Sequence, residues 1–221
     1  MAEFLSKNNE LNVDVFVKKH GGIILPIMGK NLPYRINLIR GRDWSKYKKW
    51  YIQFSLRKYV KSKDRPVIIS SNWELSEGLI SYKNKYNFCL VTVLHGLEVT
   101  RLESIKYSKR INNFIKTINN SNHVIAVSDY TKNKAELISE NKLIKTIPNF
   151  VNTNNFFLDD QKKSRKKYGF NESDKILLTL SRLVSRKGHE VVINAISLIV
   201  KKFRKSNMLL LDLEKKDMKK I

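Results

Sequence analysis

Lys175–Gly188 reads KILLTLSRLVSRKG, and this stretch decides the fold. The apolar run Ile176–Leu180 stops at a polar turn carrying Arg182, Arg186 and Lys187, and Gly188 closes the turn. Beyond the glycine, Val191, Val192, Ala195, Ile196, Ile199 and Val200 recur at helical spacing. An unbroken apolar run followed by that periodicity predicts a buried parallel strand, a tight loop and an amphipathic helix. On open α/β sheets, ligands sit beyond the carboxyl ends of the strands, where this loop falls. Fixed cations ahead of a helix N-terminus attract a phosphate or pyrophosphate, since amides and cations alike complement negative charge.

Working outward, the same alternation recurs upstream. Val13–Val17, Pro66–Ser70, Phe88–Leu94, His123–Val127 and Leu143–Ile147 are short apolar runs with strand character. Asn113–Asn119 and Asp129–Glu140 have helical spacing, the latter with Ser128 or Asp129 as its N-cap. Strands alternating with helices predict an α/β fold with parallel sheets and crossover helices. Pro148–Asp160 breaks the pattern, and Gln161–Tyr168 then reads as a basic helix capped by Gly169. The organisation expected is therefore a domain over 1–150, a linker over 151–170 and the opening of a second domain over 171–221. No internal repeat or low-complexity tract interrupts it.

Several of these segments together resemble the family 4 glycosyltransferases. The loop Arg182-Leu183 followed by Lys187-Gly188 resembles the start of that family's second domain, with Ser181 where the family usually has glycine. His95-Gly96 with Glu98 resembles the family's His-Gly-x-Glu loop, and Val124–Tyr130 its strand-then-Ser-x-Tyr element. Ile147–Asn149 with Phe156 resembles its Ile-Pro-Asn linker, and Tyr168-Gly169-Phe170 follows in the family's order. The resemblance implies the GT-B fold, in which two Rossmann-like domains face each other. This chain would hold the N-terminal, acceptor-side domain and the first strand-helix unit of the C-terminal, donor-binding domain. It also implies transfer of a sugar from a nucleotide-diphosphate sugar to a glycan or lipid-linked acceptor, with retained anomeric configuration and without a metal or other cofactor.

On that resemblance, Arg182, Lys187 and Gly188 are expected to hold the donor diphosphate, and His95 to act as the catalytic-side residue. Gly96 would let a sugar approach the backbone, and Glu98 would orient an acceptor or His95. Trp73, at the end of a predicted strand, is a candidate to stack on a sugar face; the alternative for it is core packing. No acid pair suits general acid/base work, no His/Asp/Glu cluster has metal-ligand spacing, and no Walker-type loop is present. Two departures from the family lead us to expect truncation at both ends. The segment after Gly21-Gly22 contains Pro26 and Pro33 and does not read as the family's first helix, so the first strand is expected to be missing. No glycine follows Gly188, so the family's later Gly-x-Gly turn and paired glutamates are absent from these residues and activity of this chain alone is doubtful.

The totals constrain the partners. In 221 residues, 43 Lys and Arg outweigh 20 Asp and Glu, a net charge of +23, so the chain suits anionic surfaces. Richness in Lys, Asn and Ile also fits simple codon bias, since the lysines are scattered rather than clustered. One cysteine, Cys89, excludes an internal disulfide and a cysteine metal cluster. With no leader pattern at the start and no apolar run of membrane-spanning length, the chain reads as cytoplasmic. Arg42–Lys63 places Trp44, Tyr47, Tyr51 and Phe54 at helical spacing among eight basic residues and one acid, Asp43. That is the pattern of a helix lying peripherally on an anionic membrane, or equally of a packed helix whose aromatics are core. Two rival functions stand beside the transferase. One is a basic nucleic-acid-binding module, although no specific nucleic-acid motif is present; the other is a non-catalytic remnant.

Overall fold

The computed structural model describes residues 1–8, 10–18, 31–40, 44–61, 65–100, 109–140, 143–202, 206–211 and 218–220. Gly21-Gly22 and residues 23–30 lie outside these residues, as do Arg42, Asp43, Ser62 and Lys63. The chain divides into two compact units, Met1–Phe150 and Val151–Ile221.

The first unit opens with a short helix α1 (Ala2–Leu5), then strands β1 (Asp14–Lys18) and β2 (Arg35–Ile39), paired in parallel. Helix α2 (Trp44–Val60) follows, and then strand β3 (Val67–Ser70), short helices α3 (Trp73–Glu77) and α4 (Ile80–Lys83), and strand β4 (Cys89–Leu94). Next come α5 (Leu97–Thr100), α6 (Lys109–Asn119), β5 (His123–Ala126), α7 (Asp129–Glu136) and β6 (Ile144–Thr146). Strands β3-β4-β5-β6 lie side by side in that order, and every neighbouring pair is parallel. The sheet thus advances one strand per crossover, and all four carboxyl ends share one edge.

The apolar runs explain the layers. Leu90, Leu94, Val124 and Ala126 are completely buried, and Phe114, Ile118, Val99 and Ala135 from the helices pack in the same core as Leu94 and Val124. A second cluster joins Ile39, Ile52, Leu56, Val60, Leu79, Ile80, Phe88 and Leu90. Each large aliphatic side chain so buried contributes about 1.5–3 kcal/mol. Thr92 sits inside β4 with no exposure, and its hydroxyl lies 2.6 Å from that of Ser76 and 2.7 Å from that of Ser121. Its burial is tolerated because those partners satisfy it.

Helix α7 begins where Ser128 Oγ accepts the Thr131 amide at 3.2 Å. It stops at Glu136, four residues short of the sequence expectation, for an identifiable reason. The Asn119 side chain accepts the Glu140 amide at 3.0 Å and the Ser139 hydroxyl at 2.7 Å, which draws the chain away from helical geometry.

In the second unit, helix α8 (Gln161–Lys167) is capped by Asp160, which accepts the Lys162 amide at 2.8 Å and the Lys163 amide at 3.3 Å. Gly169 takes φ +73° as the chain leaves the helix. Strand β7 (Lys175–Leu180), a 3₁₀ turn (Ser185–Lys187) and helix α9 (His189–Lys202) form the strand-loop-helix run expected from KILLTLSRLVSRKG, and strand β8 (Ser206–Leu211) follows. Strands β7 and β8 pair in parallel from Lys175–Ser206 to Leu180–Leu211. A third strand, β9 (Met218–Lys220), runs antiparallel to β8 and has no counterpart in the sequence reading. Strand β7 is also less buried than its composition predicts. Leu178 and Leu180, on one face, are 59% and 57% exposed, so among the described residues that face is open.

Candidate functional site

In the first unit, the loops at the carboxyl ends of β3, β4 and β5 converge on His95-Gly96. His95 follows β4 directly and is exposed. Its Nε2 lies 2.9 Å from the Ser71 carbonyl, in the loop after β3. A carbonyl only accepts, so the proton is on Nε2, and a neutral ring held this way carries its lone pair on Nδ1. Gly96 takes φ +99°, a backbone conformation that side-chain-bearing residues rarely adopt. A Cβ there would stand 3.1 Å from the Thr131 hydroxyl of α7. Glu98 lies in the first turn of α5, where its Oε1 receives the His95 backbone N–H at 3.4 Å. Glu98 therefore braces the His95 main chain and does not touch the imidazole. Its Oε2 is buried without a hydrogen-bond partner among the described residues.

Trp73 requires a correction. It is 5% exposed and belongs to the core cluster with Leu94, Phe114 and Val124. Phe114 meets its ring edge-to-face at 5.4 Å, and the Arg110 guanidinium lies 5.7 Å from the ring centroid while pairing with Glu74 at 2.7 Å. Burial of about the largest apolar side chain outweighs display at the surface, so Trp73 offers no face to a sugar.

In the second unit, the loop after β7 gathers Arg182, Arg186, Lys187 and Gly188. All three cations are exposed. The Arg182 carbonyl accepts the Val184 amide at 2.8 Å, forming a tight turn. Lys187 donates its amide to Val184, and Gly188 to Ser185, at 2.9 and 3.0 Å. Gly188 then takes φ +68° between the 3₁₀ turn and α9, with nothing within 4 Å of a would-be Cβ. Glycine is required there by backbone conformation, not by crowding. Of the predicted inward face of α9, Val192, Ala195, Ile196 and Ile199 are half-buried, whereas Val191 is 71% exposed.

One residue escaped sequence reasoning. His189, first in α9, is 8% exposed, and its Nε2 reaches back to the Arg182 carbonyl at 2.9 Å and the Ser181 hydroxyl at 3.1 Å. Its Nδ1 is buried without a partner among the described residues. The signal available was a histidine at the first helical position of an apolar helix, which linear spacing does not connect to Ser181.

Helix α2 divides into two faces. Ile52, Leu56 and Val60, four residues apart, enter the second core cluster. Tyr51 is half-buried against the same cluster, while Tyr47, Trp50 and Phe54 are 44%, 58% and 63% exposed. Trp50 and Phe54 stack at 5.3 Å with 13° between their planes. Arg57, Lys58 and Lys61 are also exposed, and Lys49 reaches Glu77 at 3.0 Å. Tyr47, Trp50 and Phe54 thus form an outward ridge, and the aliphatic residues, with Tyr51 against them, make the core. The Trp44 side chain lies outside the described residues. No helix among the described residues is long and apolar enough to cross a membrane. Nor is any group of three or more His, Cys, Asp or Glu among them placed to hold a metal ion.

The model of Glycosyltransferase Family 4 matches residues 2–155. N-acetyl-alpha-D-glucosaminyl L-malate synthase of Bacillus anthracis is 37% identical over 113 residues, half of this chain and 29% of that protein. Among solved structures, sucrose-phosphate synthase from Thermosynechococcus elongatus has a TM-score of 0.78 at 17% identity, covering 98% of this chain and 57% of its own. Anabaena HepE in complex with UDP and glucose has a TM-score of 0.61 at 16% identity, covering 81% of this chain and 47% of its own. These two share the α/β fold with parallel sheets, and this chain spans between a quarter and three fifths of the length of the three relatives.

Proposed function

The chain belongs to Glycosyltransferase Family 4, and from that premise we propose that it serves the transfer of a sugar from a nucleotide-diphosphate sugar to a glycan or lipid-linked acceptor, with retention of anomeric configuration. The observation that carries this reading is the loop after β7, where exposed Arg182 and Lys187 flank a backbone turned by a left-handed Gly188 into helix α9. As the bond between sugar and diphosphate breaks, negative charge grows on the leaving phosphate. Arg182 and Lys187 neutralise it, and charge-assisted hydrogen bonds are strongest at that moment. In this reading the side-chain cations do what a divalent metal would otherwise do, so no metal is needed. HepE was solved with UDP, which supports a nucleoside diphosphate as the ligand class.

The loop after β4 takes the sugar and acceptor side. His95 Nδ1 accepts a hydrogen bond from a sugar hydroxyl, while the Nε2 bond to Ser71 holds the ring in place. Gly96 allows the turn at φ +99° that carries the chain past Thr131, and Glu98 fixes the His95 main chain. The exposed ridge Tyr47, Trp50 and Phe54 beside Arg57, Lys58 and Lys61 supports a peripheral contact with an anionic membrane on the cytoplasmic side, where a lipid-linked acceptor would lie.

Calorimetric titration of UDP, ADP and GDP, each against its monophosphate, tests the donor assignment. A diphosphate bound at least about 10-fold more tightly than its monophosphate is expected, since one charge-assisted contact is worth that factor or more. Equal binding of both, or of neither, would remove the assignment.

A further inference from the structure

We infer that His189 and Ser181 form a clasp that sets the backbone of Arg182, making His189 a positioning residue for the diphosphate loop; this rests on the donor reading above. His189 sits on α9, whereas both of its hydrogen-bond partners belong to the start of the loop. The Arg182 carbonyl receives the His189 Nε2–H at 2.9 Å and the Val184 amide at 2.8 Å, so both of its lone pairs are engaged. Because that carbonyl can only accept, the proton is on Nε2, and the Ser181 hydroxyl at 3.1 Å shares it. The Arg182 peptide is thereby tied to its own turn on one side and to the first residue of α9 on the other.

The choice of histidine argues for this purpose. His189 is 8% exposed, and its Nδ1 is buried with no partner among the described residues. An unsatisfied buried acceptor is unfavourable, and an apolar side chain of similar volume would bury at this position without that penalty. What histidine supplies and an apolar side chain does not is the Nε2–H directed at the Arg182 carbonyl. Ser181 stands where family members usually carry glycine, and its hydroxyl is engaged by the same ring. The two positions are therefore expected to act as a pair. Without the clasp, the exposed Arg182 side chain starts from a looser backbone and meets the diphosphate less often in the right geometry.

The test uses the full 221-residue chain with UDP as probe, in wild type, His189→Leu, His189→Gln, Ser181→Ala and the Ser181→Ala/His189→Leu double variant. His189→Leu should weaken UDP binding about 10-fold, the scale of one lost hydrogen bond. His189→Gln should stay within about 3-fold of wild type, because its side-chain amide carries an N–H to the place of Nε2. The double variant should bind no more weakly than His189→Leu alone, since the pair acts as a unit. A role confined to stability would lower the melting temperature of the Leu and Gln variants without this split in binding. The ring ¹⁵N shifts of wild-type His189 should report the proton on Nε2, and they decide the matter should His189→Leu fail to fold. A proton on Nδ1, or His189→Leu and His189→Gln binding alike, would overturn the clasp while leaving the donor reading intact. No UDP binding by the wild type would overturn the donor reading, and the clasp with it.

Discussion

At the residue scale, the three cations of the loop after β7 are not equivalent. Arg182 is fixed through its own carbonyl, and Lys187 sits immediately before the left-handed Gly188. Arg186 lies between them in the 3₁₀ turn, and nothing further in the loop singles it out. Arg182→Ala and Lys187→Ala should each weaken UDP binding about 10-fold, the loss expected for one charge-assisted contact to a diphosphate. Arg186→Ala should change it less than about 3-fold, and equal losses at all three positions would mean that bulk charge explains the loop. In the other unit, Gly96→Ala forces a side chain onto φ +99° within 3.1 Å of Thr131 Oγ1. A stability loss of about 1–3 kcal/mol is expected in urea melts. Trp73→Ala should cost about 3–5 kcal/mol in the same melts, because Trp73 is core. The position of Trp73 was not legible in the sequence, since a tryptophan at the end of a strand fits both a sugar platform and a core. Contact with Phe114 and Arg110, distant in sequence, decided between them.

At the scale of elements, the strands were the most legible. Parallel strands covered by helices read as continuous apolar runs, and Phe88–Leu94 and His123–Val127 differ from the observed strands by one residue at an end. Helix α2 was not resolved by its sequence, because it is apolar on two sides. Its aliphatic stripe Ile52, Leu56 and Val60 and its aromatic stripe Tyr47, Trp50 and Phe54 compete for the same core, and only packing shows that the aliphatic stripe enters it. The consequence is testable by vesicle sedimentation. Replacing Tyr47, Trp50 and Phe54 with Ser leaves the net charge unchanged and should abolish most binding to anionic vesicles while the melting temperature holds. Salt should weaken the wild-type binding, since each basic residue near the surface contributes on the order of 1 kcal/mol and is screened within about 8–10 Å. Persistence of vesicle binding in the triple variant would mean that the charge acts diffusely, and single-stranded nucleic acid would then be the competitor to try.

At the scale of the whole molecule, the net charge of +23 gives any anion a general attraction, so affinity by itself says little about a site. A specific loop differs from a diffuse field in where the ligand is felt. The His189 clasp illustrates what linear sequence leaves out: a family resemblance pointed to Arg182, Lys187 and Gly188, but the bond that ties the first of them to α9 joins residues across the loop. The most direct measurement is therefore a map of backbone amide shifts on titrating UDP into the isotopically labelled chain. Shifts should concentrate at Arg182 and Ser185–His189 and saturate together, and Arg182→Ala or Lys187→Ala should erase them. Shifts scattered over lysines throughout the chain, or none at Gly188, would contradict the assignment of this loop to a nucleotide-diphosphate donor.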